Sequence, residues 1–176
     1  MADIATILAR GDLKALAEVP ADRLREYLLT EMENERKEAV PGGDRWISLG
    51  MKFGRAGRPD AERVLLDSLT NQPSKETLDL VSLFLLGFWF RRACPERPSP
   101  LTMDTFLRES ERLTLDATSR AAVAYFLCEA LQNGLDAPVR TRVVSMLNRL
   151  EGESGGSAEA ALKEVIHRCI REANGS

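Results

Sequence analysis

The chain has 176 residues and a mass of 19.5 kDa, with 24 basic and 27 acidic side chains and a single histidine. That length suits one domain and is enough to bury a core without metals or disulfides, since domains typically hold roughly 100 to 200 residues. The 44% apolar and 29% charged content excludes a disordered chain, and a net charge of −3 argues against a nucleic-acid binder.

Leu occurs 25 times and Ala 20 times, while Ile and Val together reach 14. Leu and Ala lose little freedom in a helix, whereas β-branched residues fit strands, so every long periodic segment is read as helix. Asp3 caps a short helix to about Ala9, and Gly11-Asp12 restarts one through Val19. Pro20 then opens a longer helix with Leu24, Tyr27, Leu28 and Met32 on one face. The charged run Glu31, Glu33, Glu35 and Glu38 is expected to be solvated, and Val40-Pro41-Gly42-Gly43 breaks the helix.

Asp44 is expected to cap a helix from Arg45 to Arg55, and Gly57-Arg58-Pro59 turns the chain into a helix ending near Asn71. Ser74 is a favourable cap for a helix from Lys75 to Ala93. Three prolines between Cys94 and Pro100 then impose an extended loop. Further helices are expected over about Thr102 to Leu113, Asp116 to Asn133, Ala137 to Glu151 and Ser157 to Ala173. Gly134 stands where a left-handed glycine ends a helix. The whole chain, 1–176, reads as one helical domain: N-terminal helices over 1–40, a repeat-like core over 41–151 and a capping helix over 157–173.

Ten of the thirteen residues from Leu78 to Phe90 are apolar, too short a run for a membrane span of about 17 to 25 residues. The N-terminus lacks a basic region followed by a continuous apolar one, so no secretory signal is read and a cytoplasmic protein is expected. The 19 Arg against 5 Lys hint at a GC-rich, bacterial genome. Cys94, Cys128 and Cys169 stand 34 and 41 residues apart, which gives no zinc or CxxC spacing. They are expected to be small buried hydrophobes in a reducing compartment.

One segment, 43–76, carries a distinctive pattern: Trp46, Leu49, Gly50, Phe53, Gly57, Ala61 and Pro73. Trp46, Leu49 and Phe53 lie at i, i+3 and i+7 on one stripe, while Gly50 and Ala61 are small enough for two helix axes to approach. The pattern resembles the tetratricopeptide repeat, with Phe53 where that family has Tyr and a Gly57-to-Ala61 spacing one residue short. Leu83, Leu86, Gly87 and Phe90 echo it, as do Val123, Phe126, Ala130 and Gly134. The resemblance implies an all-α fold of antiparallel hairpins stacked as a short α-solenoid; the alternative is an irregular helical bundle.

Phe84, Phe88, Trp89 and Phe90 sit in a helix that is apolar nearly all round, which suits a central core helix or the wall of a groove for a partner helix. Arg91, Arg92 and Arg97 follow it, either to complement a helix C-terminus or to meet an acidic partner. Arg45, Lys52, Arg55 and Arg58 form a second basic group, and the resemblance implies binding of peptide carboxylates by such residues on a first helix. The expected partner-binding set is therefore Arg45, Lys52, Phe53, Arg55, Phe88, Arg91 and Arg92.

Glu164 and His167 form an E-x-x-H pair, but a di-iron bundle needs two such motifs and the chain has one His, so a surface ion pair is expected. No Walker loop, GxGxxG or GxSxG occurs. No catalytic residue, metal or cofactor is assigned. The expectation is a non-enzymatic interaction module, an adaptor, assembly factor or chaperone-like binder that holds a peptide or helix of another protein, with no nucleic-acid or membrane partner. The alternatives are an inhibitor or immunity-type protein blocking a toxin or enzyme, and a small-ligand sensor or enzyme built on a mid-chain apolar pocket. A homo-oligomer is a further option.

Overall fold

The computed structural model describes residues 3–37, 43–90, 99–156 and 159–175. Among the described residues the fold is all helical, with ten helices and no strand. In chain order they are α1 (Ile4–Arg10), α2 (Leu13–Ala17), α3 (Ala21–Arg36), α4 (Gly43–Arg55) and α5 (Pro59–Asn71). There follow α6 (Lys75–Trp89), α7 (Pro100–Arg112), α8 (Ala117–Gln132), α9 (Ala137–Glu153) and α10 (Ala160–Asn174). None of these helices is long and apolar enough to cross a membrane.

Local chemistry accounts for most of the boundaries. The side chains of Asp12, Ser74, Ser99 and Asp116 accept the backbone N–H of Ala15, Thr77, Thr102 and Ser119, so each satisfies a donor that the helix itself leaves open. Gly134 takes the left-handed conformation expected of it, with φ 75°. Asp44 falls inside the first turn of α4 instead of capping it, where its charge still complements the helix N-terminus. The helix expected to reach Ala93 leaves helical geometry earlier, at Phe90, whose ψ is 122°. Asn133 of α8 donates to the Trp89 carbonyl at 3.3 Å, supplying a partner for one of the acceptors freed there.

Alternate helices pack on one another. α4 contacts α6, α6 contacts α8 and α8 contacts α10; in the same way α3 contacts α5, α5 contacts α7 and α7 contacts α9. Contacts of α5 with α6, of α8 with α9 and of α9 with α10 join the two rows. α2 packs on α4 and brings α1 with it.

The α4–α6 crossing is the tightest, because it is made backbone to backbone. A Cβ at Gly50 would overlap the Phe84 carbonyl oxygen and lie 2.9 Å from the Phe88 nitrogen; one at Gly54 would lie 2.5 Å from the Phe88 carbonyl oxygen. On the opposing helix, a Cβ at Gly87 would overlap the Ile47 carbonyl oxygen. Gly50 therefore does mediate a close approach, but to α6 and not to the Ala61-bearing α5 as the repeat pattern implies. The reason is complementarity, since Gly87 gives α6 a matching gap.

Around that crossing lies an aromatic cluster. Phe84 stands 6.3 Å from Trp46, 6.0 Å from Phe53 and 5.9 Å from Phe88 between ring centroids, and Phe88 meets Trp89 edge-on at 5.2 Å. A second pair, Phe106 and Phe126, joins α7 to α8 at 4.7 Å. These distances lie within the range in which aromatic pairs attract beyond simple burial.

Candidate binding groove

Among the described residues, those expected to bind a partner do not share one exposed face. Phe53 and Phe88 have no exposed surface, because both serve the α4–α6 core. Arg45 reaches back to α3, pairing with Glu31 and with Glu35 at 3.1 Å. Glu35 is itself buried, so the acidic run expected to be solvated is in part a structural partner of α4. Lys52 donates to the Leu8 carbonyl at 3.1 Å near the end of α1. Arg55 is exposed. Arg91 and Arg92, with Arg97 and Cys94, lie outside the described residues.

Arg58, expected in the same basic group, is buried and donates to the carbonyls of Leu16, Ala17 and Val19 at 2.9, 3.2 and 2.6 Å. Its fork also holds Asp60 at 2.6 Å, and that hydrogen bond keeps the Asp60 carboxyl below the usual carboxylate range. Arg58 thus ties the end of α2 to the start of α5. The expected Glu164–His167 pair does not form; His167 Nε2 lies 2.5 Å from a carboxylate oxygen of Glu151 on α9 instead. The pairing runs across the α9–α10 interface, whereas Glu164 lies on the helix that carries His167.

The groove that remains open lies between α5, the end of α6 and the start of α7, and encloses about 690 Å³. Leu66 and the largely buried Trp89 border it on the apolar side, and Leu101 stands at its α7 side with 76% of its surface exposed. Glu62, Arg63, Asp67 and Arg108 add charges of both signs. The buried Trp89 indole N–H has no hydrogen-bond partner among the described residues. A buried donor of this kind favours an occupant that carries an acceptor.

Among the described residues the lining contains no histidine and no cysteine. Its serine, Ser99, is committed to capping α7 through the Thr102 N–H at 3.1 Å and the Thr102 hydroxyl at 2.8 Å. Nowhere among the described residues do three or more His, Cys, Asp or Glu side chains form a group suited to a metal ion.

Sequence reasoning singled out Phe88 and Trp89 but missed the α5 and α7 walls. A signal for them existed. Glu62, Leu66 and Thr70 follow one another at i, i+4 and i+8, as do Leu101 and Thr105 at i and i+4, so each set shares a helix face. Leu101 also departs from the inward register of Met103, Phe106 and Leu107. No family model, curated protein or solved structure matches the chain.

Proposed function

We propose that this protein is a non-catalytic interaction module whose two rows of alternate helices form a short α-solenoid, and that the α5–α6–α7 groove holds a peptide or helix of another protein. The observation that carries this reading is Leu101, an exposed large apolar side chain beside an apolar-floored groove of about 690 Å³. Full burial of a Leu side chain contributes roughly 1.5 to 3 kcal/mol, so a partner that covers Leu101 gains a substantial anchor. Asp67, Arg63 and Arg108 in the lining offer both charge signs to the partner's polar side chains. An inhibitor role based on a free acidic face is less well supported, because Glu31 and Glu35 are engaged by Arg45.

Site-specific photocrosslinking tests the placement. A photoreactive side chain at Leu101 should capture a partner protein in cells, and the same group at Tyr125, an exposed residue of α8 away from the groove, should not. Arg108→Glu should abolish capture at Leu101. Capture from Tyr125 alone, or capture at Leu101 that Arg108→Glu leaves unchanged, would place the binding surface elsewhere.

A further inference from the structure

Cys128 on α8 and Cys169 on α10 are 41 residues apart in sequence yet meet in the fold. The Cys169 thiol donates to the Cys128 carbonyl at 3.7 Å, and both side chains are buried. They are almost equally buried, Cys128 with 7% and Cys169 with 6% of its surface exposed. Cys169 lines a cleft of about 340 Å³ with Leu131, Gly134, Arg140, Glu172 and Ala173, whereas Cys128 is not part of that lining. The approach of α10 to α8 is held from its start by Glu159, which accepts from Arg120 of α8 at 2.7 Å and from the Gly155 N–H at 2.5 Å. The two residues are thus brought together by packed helices, with Cys169 beside the cleft.

We infer that Cys128 and Cys169 form a redox-active dithiol, in which a small hydroperoxide entering the cleft oxidises Cys169 and Cys128 then closes a disulfide between α8 and α10. In the first step the Cys169 thiolate attacks one peroxide oxygen, a sulfur–oxygen bond forms and the oxygen–oxygen bond breaks. The leaving oxygen takes up a proton, giving water from hydrogen peroxide or an alcohol from an alkyl hydroperoxide. In the second step the Cys128 sulfur attacks the sulfenic sulfur, and hydroxide leaves as water with the Cys128 proton. Two electrons pass from the two thiols to the peroxide, and the helices become covalently joined.

The electrostatics agree with this division of labour. A hydrogen bond from the Cys128 thiol draws Cys169 below the usual thiol value, which favours its reactive thiolate. The same hydrogen bond, with burial, pushes Cys128 up. Arg168 favours both thiolates; Glu172 opposes both, and Glu129 opposes ionisation of Cys169. Arg140 of α9 lines the same cleft.

The test uses the reduced 176-residue chain and one equivalent of hydrogen peroxide, followed by tryptic digestion without reductant. The expected product joins peptide 121–140 to peptide 169–171, lighter by two hydrogens than the two peptides together, and it is absent when the chain is oxidised in denaturant. Cys128→Ser should leave a sulfenic acid at Cys169 that dimedone traps. In Cys169→Ser, Cys128 should react at least about tenfold more slowly with peroxide than Cys169 does in the unaltered chain. Thiols that stay free under excess peroxide, Cys169 oxidised to sulfinic acid with no cross-link, or linkage equally fast in the denatured chain would each overturn the inference. The cross-link itself is read on the unsubstituted chain, so the outcome does not depend on either variant folding.

Discussion

Gly50→Ala adds one methyl group where α4 crosses α6, and the structure indicates what that methyl must displace. Its carbon would overlap the Phe84 carbonyl oxygen and lie 2.9 Å from the Phe88 nitrogen, so the obstacle is backbone and not a side chain that can rotate away. The two helices must separate, which loosens the contacts of Phe84 with Trp46 at 6.3 Å and with Phe53 at 6.0 Å. Overpacking a core costs about 1 to 3 kcal/mol and sometimes more, and a backbone obstacle places this site at or above the upper end. Against that, alanine gains about 1 kcal/mol over glycine in a helix interior. The net expectation is a loss of about 2 to 4 kcal/mol. For a domain of this size each kcal/mol lowers the Tm by about 2 to 4 °C, so Tm should fall by roughly 4 to 16 °C. Urea denaturation followed by circular dichroism, together with calorimetry, measures both quantities. Gly152→Ala in α9 is the matched control, because nothing lies within 4 Å of the added carbon, and it should leave stability unchanged or raise it by up to about 1 kcal/mol. A Gly50→Ala protein as stable as the unaltered chain would refute the account of the crossing.

Two further perturbations probe the polar frame. Arg58→Ala leaves the Leu16, Ala17 and Val19 carbonyls without their guanidinium donor and should cost about 3 kcal/mol, with Arg58→Lys recovering less than half. Amide exchange in α1 and α2 should accelerate well ahead of the rest of the chain; uniform protection would contradict the proposed role. Asp116 is held at about 2, below its ordinary 3.8, first by the hydrogen bond from Lys75 at 2.5 Å and then by the Ser119 N–H. Since the folded value lies below the unfolded one, this contribution to stability is fully present above 3.8 and is lost as pH falls through about 2. Lys75→Met should move the Asp116 titration, followed by carbon-13 NMR, up toward 3.8; a titration that stays near 2 would remove Lys75 as the cause.

Much of the local structure is legible in the residues themselves. Ser74 is a cap in the sequence reading and in the fold, Asp116, read as the start of its helix, caps it, and the stripe of Trp46, Leu49 and Phe53 is buried as its helical spacing implies. The long polar side chains are where that reading fails. Arg45, Lys52 and Arg58 look like a basic surface in sequence, but each finds an acceptor on another helix: Glu35, the Leu8 carbonyl and the Leu16 carbonyl. Such partners lie between 10 and 44 residues away, and no spacing rule reaches across that distance. The groove was half visible for the same reason. Trp89 at its base belongs to a visible aromatic run, while its walls depend on how α5 and α7 are set beside α6.

The sequence alone determined that this is a helical protein and where most of its helices begin and end. Capping, proline placement and the 3.6-residue period are short-range effects, complete within a turn or two of chain. The tertiary structure decided which helices are neighbours. Gly50 could have opened a path to either α5 or α6, and the matching gap at Gly87 selects α6. Cys128 and Cys169 are unrelated by spacing until α8 and α10 pack. A helical face declares that it will be buried; what buries it depends on the shape of a second surface that the chain supplies from far away.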